Sequence, residues 1–344
     1  MNKTSQAHRA VTMKDVAKSA GVSVMTVSRA FKNDSSVKEK TRDHIRKTAE
    51  EMGYVFDSLA SNLRTQRSNF VAIVIPSVNN ANFADTVRGL SDEIEASGRQ
   101  LLIGNSNYDV QREEKLIDQL LQRRPEAIVL TGGRHTDRAR QRLQSAGIPV
   151  VETWDLPEDP IGHVVGFSNS ATMEALVAHI AASGRSRIAF IGGDGNGDTR
   201  GAERRRGFVQ AMEARGLPAD RLVGIGSPPA SMHSGAEAMA RLLNDQPDVE
   251  AVMAVSDLAA FGALTECMRR GISVPGQIAI AGFGAYDIAA VSVPPLTTID
   301  VTPRAIGQKA GAMIVSLLDG QGLPGDAPQI VEIPTTLSVG GTAP

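Results

Sequence analysis

Apolar positions near the start of the chain repeat with the period of an α-helix. Residues 15–31 read DVAKSAGVSVMTVSRAF and contain two apolar stripes, at Val16, Ala17 and Ala20 and then at Val22, Val27, Ala30 and Phe31. Between the stripes, Gly21 suits the position just past a helix C-terminus, and Ser23 is a favourable N-cap for the next helix. The pattern predicts two short packed helices in a helix–turn–helix arrangement.

The first turn of the second predicted helix carries an unusual set of side chains for an exposed surface. An ordinary helical hairpin in a bundle would present charged or polar groups there. This segment instead offers methyl groups, hydroxyls and a guanidinium, at Val24, Met25, Thr26, Ser28 and Arg29. Methyl groups suit contacts with thymine, whereas hydroxyl and guanidinium groups suit phosphate or guanine. The pattern therefore favours DNA binding over packing in a bundle.

The helical period continues for one more element before it weakens. Residues 37–52 predict a third helix that would close a three-helix unit, and Gly53 ends it. Residues 54–67, YVFDSLASNLRTQR, have a short apolar stripe but are too few for a stable isolated helix. This segment is either a linker or a helix that forms only when bound.

From residue 70 onward, short β-branched runs alternate with amphipathic helical stretches. Such alternation predicts parallel sheets joined by right-handed crossovers. Residues 70–344 exceed one comfortable domain, and a second series of strands begins after Phe167. The chain is therefore expected to form two doubly wound α/β lobes with a cleft between them. The strand candidates are 71–76, 100–104, 127–132, 149–153, 163–167, 187–193, 251–256 and 278–283; the helix candidates are 83–97, 111–123, 171–183, 204–215, 234–243 and 258–270.

Polar residues follow these strand candidates, where doubly wound sheets bind ligands. The segments just past the strands are rich in Asn, Asp, Arg and Ser, as a site for a polyol requires. Loops are polar in any case, so an ordinary surface role carries equal weight for each single residue. The segments are 77–83, 131–136, 152–155, 168–169, 194–200, 256–257 and 284–287.

Charge is distributed unevenly between the two parts of the chain. The whole chain has a formal net charge of −2, but residues 1–67 contain 13 Lys and Arg against 7 Asp and Glu. That is a net charge of +6, which leaves −8 for the remainder. A positive excess confined to the helix–turn–helix part is the electrostatic footprint expected for phosphate binding.

Several other function classes lack their sequence signals. The single Cys267 rules out an internal disulfide, and the 6 histidines show no zinc spacing. GGDGNG at 192–197 and GFG at 282–284 are not complete nucleotide-binding motifs, and ERRRG at 203–207 is either a solvated face or an anion site. We expect no metal and no cofactor. With neither a membrane-length apolar run nor a signal-peptide core, we also expect a cytoplasmic location without membrane contact.

The order of these parts resembles the lactose-repressor/galactose-repressor family of bacterial transcription regulators. TMKDVAKSAGVSVMTVSRAF, YVFDSLASNLRT, VAIVIPSVNNANFADTVRGL and IAIAGFGAYDIA match its pattern across nearly the whole chain. MTVSR, NANFADTVRGL, VVGFSNSAT and TLSVGG are most similar to the gluconate-repressor branch. The implied domains are a helix–turn–helix DNA-binding domain at 1–56, a hinge helix and linker at 57–69, and a periplasmic-binding-protein-like effector and dimerisation domain at 70–344. Its lobes are implied to be roughly 70–167 plus 300–325, and 168–299 plus 326–344.

The resemblance implies specific contacts with double-stranded operator DNA. Val24 and Met25 would select bases in the major groove, and Leu63, with Ala60 beside it, would be pushed from the minor groove into a base step. Asp57 departs from the neutral Asn or Ser often found there, and its charge would oppose a nearby phosphate. The full set of implied DNA contacts is Thr12, Met13, Ser23, Val24, Met25, Thr26, Ser28, Arg29, Lys32, Thr41, Tyr54, Ala60 and Leu63.

The resemblance also implies an effector site in the cleft. Many sugar-binding relatives have an acidic residue directly after the strand that ends in GF, where this chain has Gly284 and only later Asp287. Losing that carboxylate while keeping Arg200 and Arg204 favours an anionic ligand, since arginine pairs bidentately with carboxylate. The implied effector contacts are Ser77, Asn82, Phe83, His135, Glu152, Asn169, Arg200, Arg204, Asp257 and Asp287.

These features together predict a homodimeric, cytoplasmic repressor controlled by a sugar acid such as gluconate. No leucine-heptad tail follows Pro334, which favours a dimer over a dimer of dimers. Three alternatives are a regulator that responds to a neutral or phosphorylated sugar, a transport protein for sugars, and a sugar-phosphate enzyme. The transport protein would have no use for residues 12–64, and the enzyme would need a catalytic constellation or phosphate loop that the sequence does not show.

Overall fold

The computed structural model describes residues 11–31, 35–55, 68–194, 197–320 and 327–344. The chain divides into two compact units, residues 1–68 and 69–344. Within the described ranges, none of the helices combines the length and the apolar character needed to cross a membrane.

The described part of the first unit contains three helices, α1 (Met13–Ser19), α2 (Val24–Phe31) and α3 (Glu39–Glu51). The apolar stripes of the sequence meet in its core, where Val16, Val27 and Ile45 are fully buried. Gly21 has φ +68°, and the Ser23 hydroxyl accepts a hydrogen bond of 3.1 Å from the Thr26 backbone N–H. The predicted turn and N-cap are therefore confirmed.

A parallel six-stranded sheet forms the first lobe of the second unit, in the order β11-β5-β4-β3-β1-β2. Alternate residues of its strands pack into two separate cores, because helices cover both faces of a parallel sheet. The strands are β1 (Phe70–Ile75), β2 (Gln100–Asn105), β3 (Ile128–Thr131), β4 (Val150–Thr153), β5 (His163–Gly166) and β11 (Ile330–Glu332); the helices with them are α4 (Ala81–Ala96), α5 (Val110–Gln122), α6 (Asp137–Gln144) and α12 (Pro303–Leu318).

The second lobe contains a parallel four-stranded sheet in the order β7-β6-β8-β9. A short antiparallel pair, β10 with β12, accompanies it. The strands are β6 (Ile188–Ile191), β7 (Leu222–Val223), β8 (Ala251–Ala254), β9 (Ala279–Ala281), β10 (Thr298–Asp300) and β12 (Thr336–Ser338); the helices are α7 (Ala171–Ala182), α8 (Thr199–Glu213), α9 (Met232–Asp245), α10 (Asp257–Arg269) and α11 (Asp287–Val291).

Two helices of the first lobe approach each other closely. A Cβ atom on Gly307 of α12 would lie 2.0 Å from the backbone oxygen of Thr86 in α4, and one on Gly89 would lie 2.2 Å from the backbone oxygen of Arg304. Because backbone atoms cannot move aside as a flexible side chain can, these contacts require glycine. The contact seats α4, whose first turn carries Asn82 and Phe83, against α12.

All eight predicted strands and all six predicted helices of this unit are present, with small changes at their ends. One assignment is wrong: residues 326–344 do not all belong to the second lobe, because β11 pairs in parallel with β5 of the first-lobe sheet. β11 is a three-residue edge strand with two exposed positions, so its pattern carries little local signal. The sequence pattern also missed β7, β10 and β12, because strands of 2 or 3 residues are too short to show a period.

Candidate functional site

A cavity of about 280 Å³ lies beyond the carboxyl ends of strands from both sheets of the second unit. The loops after the strands supply its walls, as expected for doubly wound sheets. Asn79, Asn80, Asn82 and Phe83 follow β1, Tyr108 follows β2 and Trp154 follows β4; Asp198, Arg200 and Arg204 follow β6, Val255, Ser256 and Leu258 follow β8, and Phe283 and Tyr286 follow β9.

Aromatic rings beside the cavity form a continuous series of edge-to-face and tilted contacts. The Trp154 ring lies edge-on to Phe83 at 5.1 Å between centroids and to Phe167 at 5.8 Å, and Phe167 lies 6.1 Å from Phe283. Trp154 has φ +73°, an uncommon conformation for a bulky residue, which persists where the surroundings hold it. Its indole N–H donates to the Thr86 hydroxyl at 3.1 Å. The ring is therefore held in one orientation.

Arg204 of α8 is fixed by neighbours on several sides. Its Nε donates to Asn169 Oδ1 at 3.0 Å and its Nη1 donates to the Val255 carbonyl at 2.7 Å. The guanidinium carbon lies 3.9 Å from the centroid of the Phe283 ring, in a cation–π contact. Burial lowers the pKa of Arg204 from its usual value. Asn169 is itself held by a 2.9 Å bond from its Nδ2 to the Trp154 carbonyl.

Arg200, one turn earlier on α8, reaches toward the first-lobe sheet. Its Nη1 donates to the Thr131 carbonyl at 3.3 Å, and its guanidinium carbon lies 5.5 Å from the centroid of the Phe83 ring. Gly132 leaves room for it, because a Cβ there would stand 2.7 Å from Nη1. Arg200 thus joins the two lobes, whereas Arg204 contacts mainly the second.

Among the residues that the structure describes, neither guanidinium forms a salt bridge within 4.0 Å, although Asp198 lines the same cavity and favours the charged form of Arg204. Both side chains are nevertheless buried, with Arg200 5% exposed and Arg204 9% exposed. A buried charge without a counter-ion is costly unless a ligand supplies one. The arrangement is suited to receiving an anion.

Gly284, in the loop after β9, leaves little room for a side chain. Gly284 has φ +119°, and a Cβ there would lie 2.7 Å from Asn82 Nδ2 and 2.8 Å from Tyr286 Cε1. Asn82 Nδ2 donates to the Gly284 carbonyl at 2.9 Å. A side chain at Gly284 would therefore be strained at this φ and would require Asn82 and Tyr286 to move.

Four of the predicted effector contacts line the cavity, namely Asn82, Phe83, Arg200 and Arg204. Ser77 instead accepts a bond from the Asn79 backbone N–H at 3.2 Å, and Asp287 is exposed at the start of α11. Asn169 does not line the cavity but accepts the hydrogen bond from Arg204 Nε. The Asp257 carboxylate accepts from the Thr298 hydroxyl at 2.6 Å and from the Tyr286 backbone N–H at 2.8 Å, and burial raises its pKa to about 6.

His135 and Glu152 form a separate buried cluster with Glu113. His135 Nδ1 lies 2.5 Å from Glu113 Oε1, and Nε2 lies 3.5 Å from Glu152 Oε1. Burial opposes the charged imidazole, but the two carboxylates outweigh it and raise the pKa of His135 to about 9. The imidazole is therefore protonated at neutral pH.

Sequence reasoning missed two tyrosines that line the cavity. Burial raises the pKa of both Tyr108 and Tyr286, so their hydroxyls stay neutral hydrogen-bonding groups. Tyr286 lies in the polar segment 284–287, next to Asp287, which the resemblance implies as an effector contact. The position of both tyrosines just past a strand was the available signal.

In the first unit, Val24 and Met25 are 41% and 50% exposed despite their apolar side chains. Arg29 is also exposed, and the hydroxyls of Ser23 and Thr26 lie 2.9 Å apart at the start of α2. This is the mixed surface expected at a DNA groove, because single apolar side chains there can read thymine methyl groups.

The other predicted DNA contacts differ in their local environments. The Thr12 hydroxyl donates to the Asp15 carboxylate at 2.6 Å, Met13 packs against the core, and the Tyr54 ring lies 6.0 Å from Phe31. Ser28 and Thr41 are partly exposed. The candidates Lys32, Ala60 and Leu63, together with Asp57, lie outside the described residues.

Comparisons with known proteins cover both units. Residues 12–57 match the family model "Bacterial regulatory proteins, lacI family", and residues 177–343 match "Periplasmic binding protein-like domain". The HTH-type transcriptional regulator GntR of Pseudomonas aeruginosa is 36% identical over 310 residues, which span 90% of each chain. The HTH-type transcriptional regulator IdnR of Escherichia coli strain K12 is 34% identical over 313 residues, 90% of this chain and 92% of IdnR.

A solved structure of a LacI-family transcriptional regulator from Silicibacter pomeroyi superposes with a TM-score of 0.89 at 31% identity, over 97% of this chain and 99% of that one. The relatives are transcriptional regulators, and they match the helix–turn–helix unit and the two-lobed unit together. The chain is accordingly a DNA-binding transcriptional regulator with an effector-binding unit, and not an enzyme. It belongs to the lacI family of bacterial regulatory proteins.

Proposed function

We propose that the protein is a homodimeric repressor of sugar-acid catabolic genes, and that a hexonate such as gluconate binds in the cavity and controls its affinity for operator DNA. The observation that carries the proposal is the pair of buried guanidiniums, Arg200 and Arg204, that face the cavity without a carboxylate partner among the described residues. The names of the relatives GntR and IdnR accord with this class of effector.

A carboxylate ligand would balance the positive charge that Arg200 and Arg204 bring to this site. Burial, and to a smaller extent the neighbouring Arg200, disfavour the charged form of Arg204, and Asp198 only partly offsets them. An anion bound beside Arg204 would reduce this desolvation cost and the repulsion from Arg200. Arginine also matches a carboxylate geometrically, through two parallel N–H donors. A neutral sugar would leave both buried guanidiniums without a carboxylate in direct contact.

The rest of the cavity suits a small polyol chain. Asn79, Asn80 and Ser256 offer amide and hydroxyl groups to ligand hydroxyls, while Trp154 and Phe283 supply apolar surface for its carbon skeleton. A volume of about 280 Å³ is near the lower end of small-molecule sites, roughly 300–1,000 Å³, which favours a compact ligand over a disaccharide.

Effector control requires that the ligand bind two conformations unequally. Arg204 is anchored within the second lobe, but Arg200 extends from the second lobe to the Thr131 carbonyl of the first. A carboxylate held by both arginines would therefore favour one arrangement of the lobes over others. That difference in binding free energy is what would alter operator affinity.

Operator contact is proposed for the exposed side of α2, through Ser23, Val24, Met25, Thr26, Ser28 and Arg29. Thr12, Met13, Thr41 and Tyr54 complete the proposed contacts among the described residues, with Lys32, Ala60 and Leu63 added from the sequence. Dimerisation is supported by exposed apolar side chains of the second unit, including Ile103 on the edge strand β2 and Val291 and Val293 around the end of α11. Two copies would read two half-sites of a palindromic operator.

Titration calorimetry with gluconate and glucose tests the effector. Replacing an arginine that makes a charge-assisted bond worth about 1.5–3 kcal/mol should weaken gluconate binding by roughly ten- to a hundredfold or more. We therefore expect this loss in Arg200→Ala and Arg204→Ala, and weaker binding of glucose to the wild type. The control is Arg206→Ala on the same helix, because Arg206 is exposed and pairs with Glu203.

Two results would overturn the sugar-acid assignment: tighter binding of glucose than of gluconate, or gluconate affinity that neither substitution changes. Fluorescence anisotropy of operator DNA, with and without gluconate, then tests whether the ligand controls DNA binding. Tighter binding of gluconate 6-phosphate than of gluconate would point to a phosphorylated effector instead.

A further inference from the structure

The Glu113–His135–Glu152 cluster adjoins the contact between Arg200 and the first lobe. We propose that His135 is a positioning residue for effector binding: it holds the Glu113 carboxylate and thereby leaves the Arg200 guanidinium available to the anionic ligand. This inference rests on the proposed function, since it assigns His135 a role in the affinity of the same site.

Glu113 and Arg200 share a second, smaller cavity. Its volume is about 30 Å³, and both residues line it together with Thr131 and Gly132. In so small a space an unengaged Glu113 carboxylate would compete for the Arg200 guanidinium, as would Asp109, which lines the same cavity. The Glu113 carboxylate is already bound to His135, however, because Glu113 Oε1 lies 2.5 Å from His135 Nδ1.

His135 is well placed to keep that carboxylate occupied. Its ring is completely buried between α5, which carries Glu113, and β4, which carries Glu152. The Nδ1 side of the ring hydrogen-bonds Glu113 at 2.5 Å, whereas Nε2 lies 3.5 Å from Glu152 Oε1, which is an ion-pair contact without a hydrogen bond. A protonated imidazole has an N–H on each side and so faces both carboxylates with a donor, whereas a neutral ring could donate to only one of them. His135 precedes α6, so the cluster joins this loop to α5 and β4.

The same residue stabilises the loop that receives Arg200. The loop runs from Thr131, whose carbonyl accepts Arg200 Nη1, to Thr136, whose hydroxyl donates to Glu114 at 2.6 Å. Between them, the Gly132 N–H donates to the Thr153 carbonyl at 2.7 Å and His135 is held by its two carboxylates. Thr131 therefore keeps its carbonyl directed at Arg200.

The expected consequence is a specific loss of anion binding when His135 becomes neutral. In His135→Gln, Glu113 can turn to Arg200, and gluconate affinity should fall about tenfold, as for groups coupled in one network. The double variant Glu113→Gln/His135→Gln removes the competitor and should recover most of the affinity. In an Arg200→Ala background, His135→Gln should cause no further loss.

Calorimetry with gluconate on these variants tests the proposal, with Trp154 fluorescence as the check of folding. If His135→Gln does not fold, Glu113→Gln alone decides: we expect it to keep gluconate affinity within about threefold of wild type. A loss in Glu113→Gln equal to that in Arg200→Ala would overturn the inference, as would failure of the double variant to recover.

A crystal structure of ligand-free His135→Gln, or of His135→Asn if the first variant does not fold, separates this inference from the effector assignment. We expect the Arg200 guanidinium to leave the Thr131 carbonyl and pair with Glu113. An Arg200 that stays in place would refute the role of His135 whatever ligand the protein binds. An absence of gluconate binding by the wild type, with Arg200 displaced in the variant, would refute only the sugar acid.

Discussion

Raising the pH into the alkaline range should lower the free energy of unfolding of the second unit, because His135 loses its proton. The pKa of His135 is raised from 6.5 to about 9, and a group whose pKa is higher in the folded state stabilises that state while it is protonated. This contribution is fully present below pH 6.5 and is lost as the pH rises through about 9. A difference of about 2.5 pKa units corresponds to about 3 kcal/mol in the free energy of unfolding.

Trp154 allows this loss to be measured for the second unit alone. The sequence contains a single tryptophan, Trp154, which is buried beside the cavity, so its fluorescence reports the unfolding of this unit. Urea unfolding of the full chain at about pH 6.5 and about pH 9.5 should show a midpoint lower by on the order of 1 M at the higher pH. His135→Gln should lose most of this pH dependence.

Two comparisons isolate His135 from other titrating groups. His233 is exposed and pairs only with Glu237 on its own helix among the described residues, so His233→Gln should keep the wild-type pH dependence. Burial raises the pKa of Asp257 to about 6, which destabilises the folded state as the pH rises to 6 and adds no further change above it. An equal alkaline loss in wild type and His135→Gln would refute the reasoning.

Three further predictions concern other parts of the molecule. Arg29→Ala should weaken operator binding without changing ligand binding, measured by fluorescence anisotropy at fixed salt; unchanged affinity would remove Arg29 from the proposed contacts. Leu63→Ala should reduce binding to the operator more than to random DNA, because insertion between bases needs a fitted interface, and equal losses would contradict this. Gly307→Ala should destabilise the second unit by about 1–3 kcal/mol or more in urea unfolding, since its Cβ would stand 2.0 Å from the Thr86 oxygen; unchanged stability would contradict it.

Much of the fold could be predicted because its signals are local. A helix records its buried face every three or four residues, so Val16, Val27 and Ile45 were identifiable as core positions. Gly21 and Ser23 marked the turn through their own backbone and capping preferences. The strands of the sheets were visible as β-branched runs, because both faces of a parallel sheet are buried.

Part of the candidate cavity followed from the same local information. Arg200 and Arg204 stand one helical turn apart just after a strand, and strands of a doubly wound sheet direct their following residues to the ligand edge. The sequence thereby determined that two guanidiniums would lie near the cleft. It did not determine that one would be anchored within a lobe and the other would reach across to Thr131.

Tertiary structure alone decided which distant groups meet. Glu113, His135 and Glu152 come from separate elements, and their separation in sequence carries no information about the 2.5 Å and 3.5 Å distances that join them. The pairing of β11 with β5 was likewise hidden, since three residues at a sheet edge have almost no pattern of their own. Periodicity reports how each segment faces its nearest core, whereas the pairing of segments depends on how the whole chain packs to bury its apolar surface.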